Sequence, residues 1–133
     1  MKILSILFSV LLLASCSTIT SFKVAPFNGS EYEKISHLRT SIALIEGQCH
    51  DFNVMKVASV DINNQAFELV IFSQGLPGNS DAVQMETNLH LITSELMKRY
   101  ASVNSISETY CEDKLQILLR TSSTIQKSLG AKP

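Results

Sequence analysis

The sequence predicts an all-α domain, an up-down-up-down four-helix bundle closed by one disulfide. Three observations predict it. Apolar residues recur at three- and four-residue spacing in four separate segments, the period of a helix with one buried face. Serine or aspartate stands before each apolar run and glycine follows three of them, as helix starts and stops require. Two cysteines, Cys49 and Cys111, fall where this topology brings the chain together at one end.

The chain opens with Met1-Lys2-Ile3-Leu4-Ser5-Ile6-Leu7-Phe8-Ser9-Val10-Leu11-Leu12-Leu13-Ala14-Ser15-Cys16. One positive charge precedes an apolar run that ends in small residues and a cysteine. A run of about 12 residues is too short to cross a membrane, which takes roughly 20. It has the length of the apolar region of a cleaved signal, about 7–15 residues. Leu13-Ala14-Ser15-Cys16 resembles the lipobox of bacterial lipoproteins, a resemblance that covers residues 1–17 only. It implies that residues 1–15 are a signal peptide. It also implies that the Cys16 thiol takes a diacylglyceryl group and that the freed amine of Cys16 takes an acyl chain such as palmitate. Ser17 stands where an aspartate tends to retain Gram-negative lipoproteins at the inner membrane. For a Gram-negative host the resemblance therefore implies a lipid-anchored protein of the outer membrane, facing the periplasm. Two or more acyl chains, at about 0.8 kcal/mol per buried methylene, hold a protein to a membrane without a basic patch. An ordinary secretory signal and a short uncleaved anchor are the competing readings, and the shortness of the apolar run speaks against the second.

Residues 16–29 read as the lipidated N-terminus and a tether. Small and polar residues predominate, with one proline and no helical period. Fully extended, the 13 residues from Ser17 to Gly29 reach at most about 45 Å. Phe22 and Phe27 are the residues there with a reason to fold back onto the domain, which the pattern assigns to residues 30–133.

Ser30-Glu31-Tyr32-Glu33 reads as a capping box. Ile35, Leu38, Ile42 and Ile45 follow on one face, and Gly47 provides a stop. Asp51 can cap a second helix with Met55, Ala58, Ile62, Leu69 and Phe72 inward, ended by Gly75 and Pro77. A hairpin competes over residues 54–72, because Val57 to Phe72 is rich in Val, Ile and Phe and Asn63-Asn64 suits a turn. The helical spacing of the apolar residues favours the helix. Ser80 can cap a third helix with Met85, Leu89, Ile92 and Leu96 inward. Ser105-Ile106-Ser107-Glu108 reads as a second capping box. The fourth helix carries Cys111, Leu115, Leu118, Ile125 and Leu129 to a stop at Gly130. Its Thr121-Ser122-Ser123-Thr124 run is a poor helix former, suited either to close helix approach or to a polar contact strip.

Short loops make consecutive helices antiparallel. Cys49, after the first helix, and Cys111, early in the fourth, then lie at the same end. With Cys16 lipidated these two thiols are the only ones left, and an exported chain meets an oxidising compartment. They are expected to pair, closing a loop of about 63 residues worth on the order of 4 kcal/mol.

The 133 residues minus the 15 of the leader leave 118, one domain with room for a core. The net charge of −1 becomes −2 without Lys2, with no basic excess for nucleic acid. The chain holds no Gly-x-Ser-x-Gly elbow and no Gly-rich phosphate loop. Glu112 and Asp113 are adjacent, so on a helix they diverge. No enzymatic activity is expected. Glu33 precedes His37, Glu46 precedes His50 and Glu86 precedes His90, each by four residues. Such pairs could bind a metal, but they read more simply as ion pairs worth a few tenths of a kcal/mol. Haem would need axial ligands from Met55, Met85 or Met97 with a histidine, and methionines at helical spacing are ordinarily core. No cofactor or metal is expected.

Phe67, Val70 and Ile71 lie off the inward positions of the second helix. They are either covered by the tether or a neighbouring helix, or offered to a partner. The expectation is a non-enzymatic envelope lipoprotein, a protein-binding or structural module. A haem- or metal-binding bundle and a phage-encoded lipoprotein for lysis or superinfection exclusion are the alternatives.

Overall fold

Side-chain chemistry at the helix ends sets the four elements. The computed structural model describes residues 25–133. The leader, Cys16 and the tether through Val24 lie outside the described residues. The helices are α1 (Gly29–Ile45), α2 (Phe52–Gln74), α3 (Ser80–Ser102) and α4 (Glu108–Gly130), with a 3-10 turn at Glu46–Gln48 after α1. Asp51 caps α2 as expected, accepting from the backbone N–H groups of Asn53 and Val54 at 3.0 Å. Both capping boxes are displaced by two residues. Asn28 caps α1 by accepting from Glu31 N at 3.0 Å, which places Ser30 inside the helix. Ser107 caps α4 by accepting from Tyr110 N at 3.2 Å, which leaves Ser105 outside. Asparagine and serine cap about equally well, so the residue that lets the following turn bury its apolar positions takes the role. Gly47 falls inside the 3-10 turn and Gly130 is the last residue of α4. The α2–α3 loop turns at Gly78, whose φ of 72° is open to glycine and strained for other residues.

Segment 54–72 is continuous helix, and Asn63-Asn64 sits in its middle. The described residues contain no strand. Cross-helix contacts run antiparallel. On α2–α3, Asn63 meets Thr93 and Phe52 stacks at 5.3 Å on Tyr100. On α1–α4, Ser36 meets Gln126 and Glu46 meets Gln116. Each helix packs on the two that flank it, most extensively α2 on α3 and α1 on α4. This is the up-down-up-down bundle.

The core follows the apolar period. Ile35, Leu38 and Ile42 of α1 are no more than 1% exposed, as are Cys111, Leu115, Leu118, Ile125 and Leu129 of α4. Ile45, Ala58, Phe72, Met85 and Ile92 lie on the flanks of their helices and are half-buried. Small residues fill the α2–α3 seam: Ser59, Ala66 and Ser73 on α2, and Ala82 on α3, are all buried. In α4, Ser122 is fully buried and bonds back to Leu119 O, while Thr121 and Thr124 bond back to the carbonyls four residues earlier. Only Ser122 of that run reaches the core; Thr121 and Ser123 are half-buried and Thr124 is exposed.

Cys49 and Cys111 form the expected disulfide, with Cα atoms 5.6 Å apart. It ties the end of the α1–α2 connection to the first turn of α4. Replacing both cysteines by serine is expected to cost about 2–5 kcal/mol. The melting temperature should fall by roughly 10 °C or more, read by circular dichroism, and reductant should reproduce the loss in the unmodified protein but not in the variant.

Candidate functional site

The end of the bundle opposite the disulfide holds a buried polar cluster. It starts from Glu31, in the first turn of α1, where a negative charge suits the helix dipole. Its side chain turns inward and is fully buried. Glu31 Oε1 accepts from Ser73 Oγ at 2.8 Å and from Asn79 Nδ2 at 2.6 Å. Glu31 Oε2 faces Lys132 Nζ at 3.2 Å. Lys132 also donates to Asn79 Oδ1 at 2.6 Å, and Asn79 Nδ2 reaches Ser73 O at 3.3 Å. Asn79 precedes α3 yet makes no side-chain cap hydrogen bond, because its amide is engaged here. The donors to Glu31 thus come from α2, from the α2–α3 loop and from the residues after α4.

Glu86 of α3 completes the cluster. It is fully buried, and neither carboxyl oxygen has a hydrogen-bond partner. Burial pushes its carboxyl up from 4.5 to about 8; the Ser73 hydroxyl opposes this, the charge of Glu31 adds to it, and Lys132 opposes it. At neutral pH Glu86 is chiefly a neutral acid, buried within reach of the charge of Glu31. The cluster is closed to solvent in this conformation, so its chemistry is internal: it fastens four chain segments.

None of the three Glu–His pairs forms an ion pair. Glu86 stays within the cluster, while the His90 ring stacks at 5.3 Å on Phe67 and leaves its buried Nδ1 without a partner. His37 Nδ1 meets Gln65 Oε1 at 3.2 Å. Glu46 accepts from Gln116 across the α1–α4 contact. Among the described residues no group of three or more His, Cys, Asp or Glu side chains is placed to hold a metal. Met55 is core, and Met85 and Met97 are half-buried on the flanks of α3.

The outward face of α2 carries the second feature. Phe67 and Ile71 are 51% and 52% exposed. Val70 is only 5% exposed, which corrects its assignment to a partner surface. It lies two turns along from Asn63, which bonds to Thr93, and so is covered from the α3 side. In its place stand Val57 at 72% and Val60 at 44% exposed, with Asn64 exposed between them and Phe67. Val57, Val60, Asn64, Phe67 and Ile71 are spaced three, four, three and four apart, a continuous stripe. The spacing was present in the sequence, but the buried Ser59, Asn63 and Ser73 hid how α2 is rotated.

Comparison with protein-family models, characterised proteins and solved structures found no match to this chain.

The cluster makes stability depend on pH in a defined sense. The folded state keeps a proton on Glu86 that the unfolded chain loses above about 4.5. Its contribution is full below that value, declines as pH rises, and is lost by about 8. Denaturant midpoints measured from pH 5 to 9 should fall up to about pH 8 and level off above it, and Glu86→Gln should flatten the fall. Glu31→Gln should lower stability at pH 7 by about 2–3 kcal/mol, because it leaves Lys132 without its counter-charge.

Proposed function

We propose that this chain is a lipid-anchored envelope protein, held through Cys16 at the periplasmic face of an outer membrane, whose bundle binds protein and does not catalyse a reaction. The observation that carries the reading is the Lys2, apolar run, Leu13-Ala14-Ser15-Cys16 order of the leader. Two structural facts fit it. No helix among the described residues is long and apolar enough to cross a membrane, so attachment of this domain would rest on the acyl chains. The α2 stripe exposes apolar residues that the bundle itself does not use.

In this reading the domain would hang by the end at which the chain enters it. Ala25 is buried where the chain enters the domain, and Phe27 N donates to Pro133 O at 2.8 Å. The chain therefore enters at the Glu31 end. A bundle hung from Cys16 would keep that end toward the membrane and carry the disulfide end outward.

Cys16→Ser should block acylation, leave uncleaved precursor and release the protein from outer-membrane fractions. Radiolabelled palmitate incorporation, gel mobility and density-gradient fractionation read the three effects. Unchanged processing and unchanged membrane attachment would overturn the proposal.

A further inference from the structure

The geometry points to a second copy of this chain as the occupant of the α2 stripe, in a parallel two-stranded pairing of α2 with its symmetry mate. This deepens the reading of that stripe as a protein-facing surface and rests on it. The spacing of Val57, Val60, Asn64, Phe67 and Ile71 is that of alternating a and d positions in a heptad repeat. The a positions are Val57, Asn64 and Ile71; the d positions are Val60 and Phe67. β-Branched residues at a favour two strands when d carries leucine; here d carries Val60 and Phe67, so the number of strands rests on Asn64, since an asparagine at a central a position fixes register and oligomer state. The side-chain amide has both donors and acceptors, so Asn64 can pair with itself across a two-fold axis.

Charge selects the direction. Lys56 occupies the g position before Val57, and Asp61 the e position after Val60. In a parallel pair each g residue faces the e residue five positions on in the other strand. Lys56 then meets Asp61 of the second copy, twice by symmetry. In an antiparallel pair e faces e and g faces g, so Asp61 would meet Glu68, already held by Lys34 of its own chain at 2.5 Å, and Lys56 would face the g position of Val70. That arrangement gains no ion pair, whereas the parallel one gains two.

Size and geometry fit a weak association that confinement strengthens. The α2 helix of 23 residues is about 34 Å long. Five seam residues are far fewer than the roughly 20–30 a side of a standard interface. Two chains held in one membrane plane meet at a much higher effective concentration than in dilute solution. A parallel pair puts both Glu31 ends on the same side, which suits two chains anchored in one membrane.

The test uses the full chain in its own membranes. Val57→Cys and Ile71→Cys are introduced singly, and oxidative cross-linking is read on non-reducing gels. Parallel pairing predicts a dimer of twice the mass from each variant alone. Leu44→Cys, at an exposed α1 position away from the stripe, should give none. Adding Phe67→Lys to Val57→Cys should reduce the cross-link about tenfold, an effect of roughly 1.4 kcal/mol. Lys56→Glu should weaken it and Lys56→Glu/Asp61→Lys should restore it. Circular dichroism checks that each variant keeps its helix content. Overturning outcomes are a cross-link only in mixtures of the two cysteine variants, a product containing a different protein, or no cross-link at either position, as coverage by the tether would give. Fractionation of the same cells reads the anchor separately. Membrane-bound protein without the cross-link would sink the pairing alone, and cross-linked protein released from membranes would sink the anchor alone.

Discussion

One buried carboxylate constrains the whole bundle. Glu31 is taken out of water, at a cost of several kcal/mol unless it is paired and hydrogen-bonded. The groups that compensate it lie far away in sequence: Ser73, Asn79 and Lys132, with neutral Glu86 alongside. No single hairpin of helices can supply them. An apolar core alone accepts small slippages of one helix along another at modest cost. Glu31 does not, since a shift of one turn in any helix would strand a charge. The arrangement also accounts for local irregularities. Asn79 leaves the start of α3 without a side-chain cap because its amide is needed elsewhere, and the chain runs past α4 far enough to deliver Lys132.

The two ends of the bundle are closed by different physics. At one end a covalent bond joins Cys49 to Cys111 and acts mainly by restricting the unfolded chain. At the other, the Glu31 cluster acts in the folded state, through pairing that depends on protonation. The first responds to redox conditions and not to pH, and the second does the reverse. Between them lies an ordinary hydrophobic core, with small residues in the α2–α3 seam that let those helices approach closely. The α2 stripe stands apart from both ends, on the face turned away from the core.

The fold was legible because its signals are local. Apolar spacing, Asp51 and the cysteine positions required no knowledge of distant contacts, and the topology followed from short loops. The capping boxes were misplaced by two residues because Asn28 competes with Ser30, and Ser107 with Ser105, on nearly equal terms. Glu31 was illegible as a buried residue, since a glutamate in a first helical turn looks solvent-facing until its partners are in place. The exposed apolar face of α2 was half legible. Phe67 and Ile71 stood out as surplus apolar residues. Val70 was assigned outward and Val57 and Val60 were missed, because buried Ser59, Asn63 and Ser73 give the inner face of α2 a polar appearance.

The placement of the disulfide has a mechanical meaning. The chain enters the bundle at Ala25, beside Pro133, and α1 runs from there to the far end. A load applied at Ala25 would first pull on the Glu31 cluster and then peel α1 away from its neighbours. The covalent bond at Cys49 limits how far that peeling can go, since beyond it tension passes to Cys111 as well as along the chain. Both α2, with its exposed stripe, and α3 lie between the two cysteines in sequence, inside the closed loop. The bundle can yield by one helix under strain while the pair that carries the exposed stripe stays joined.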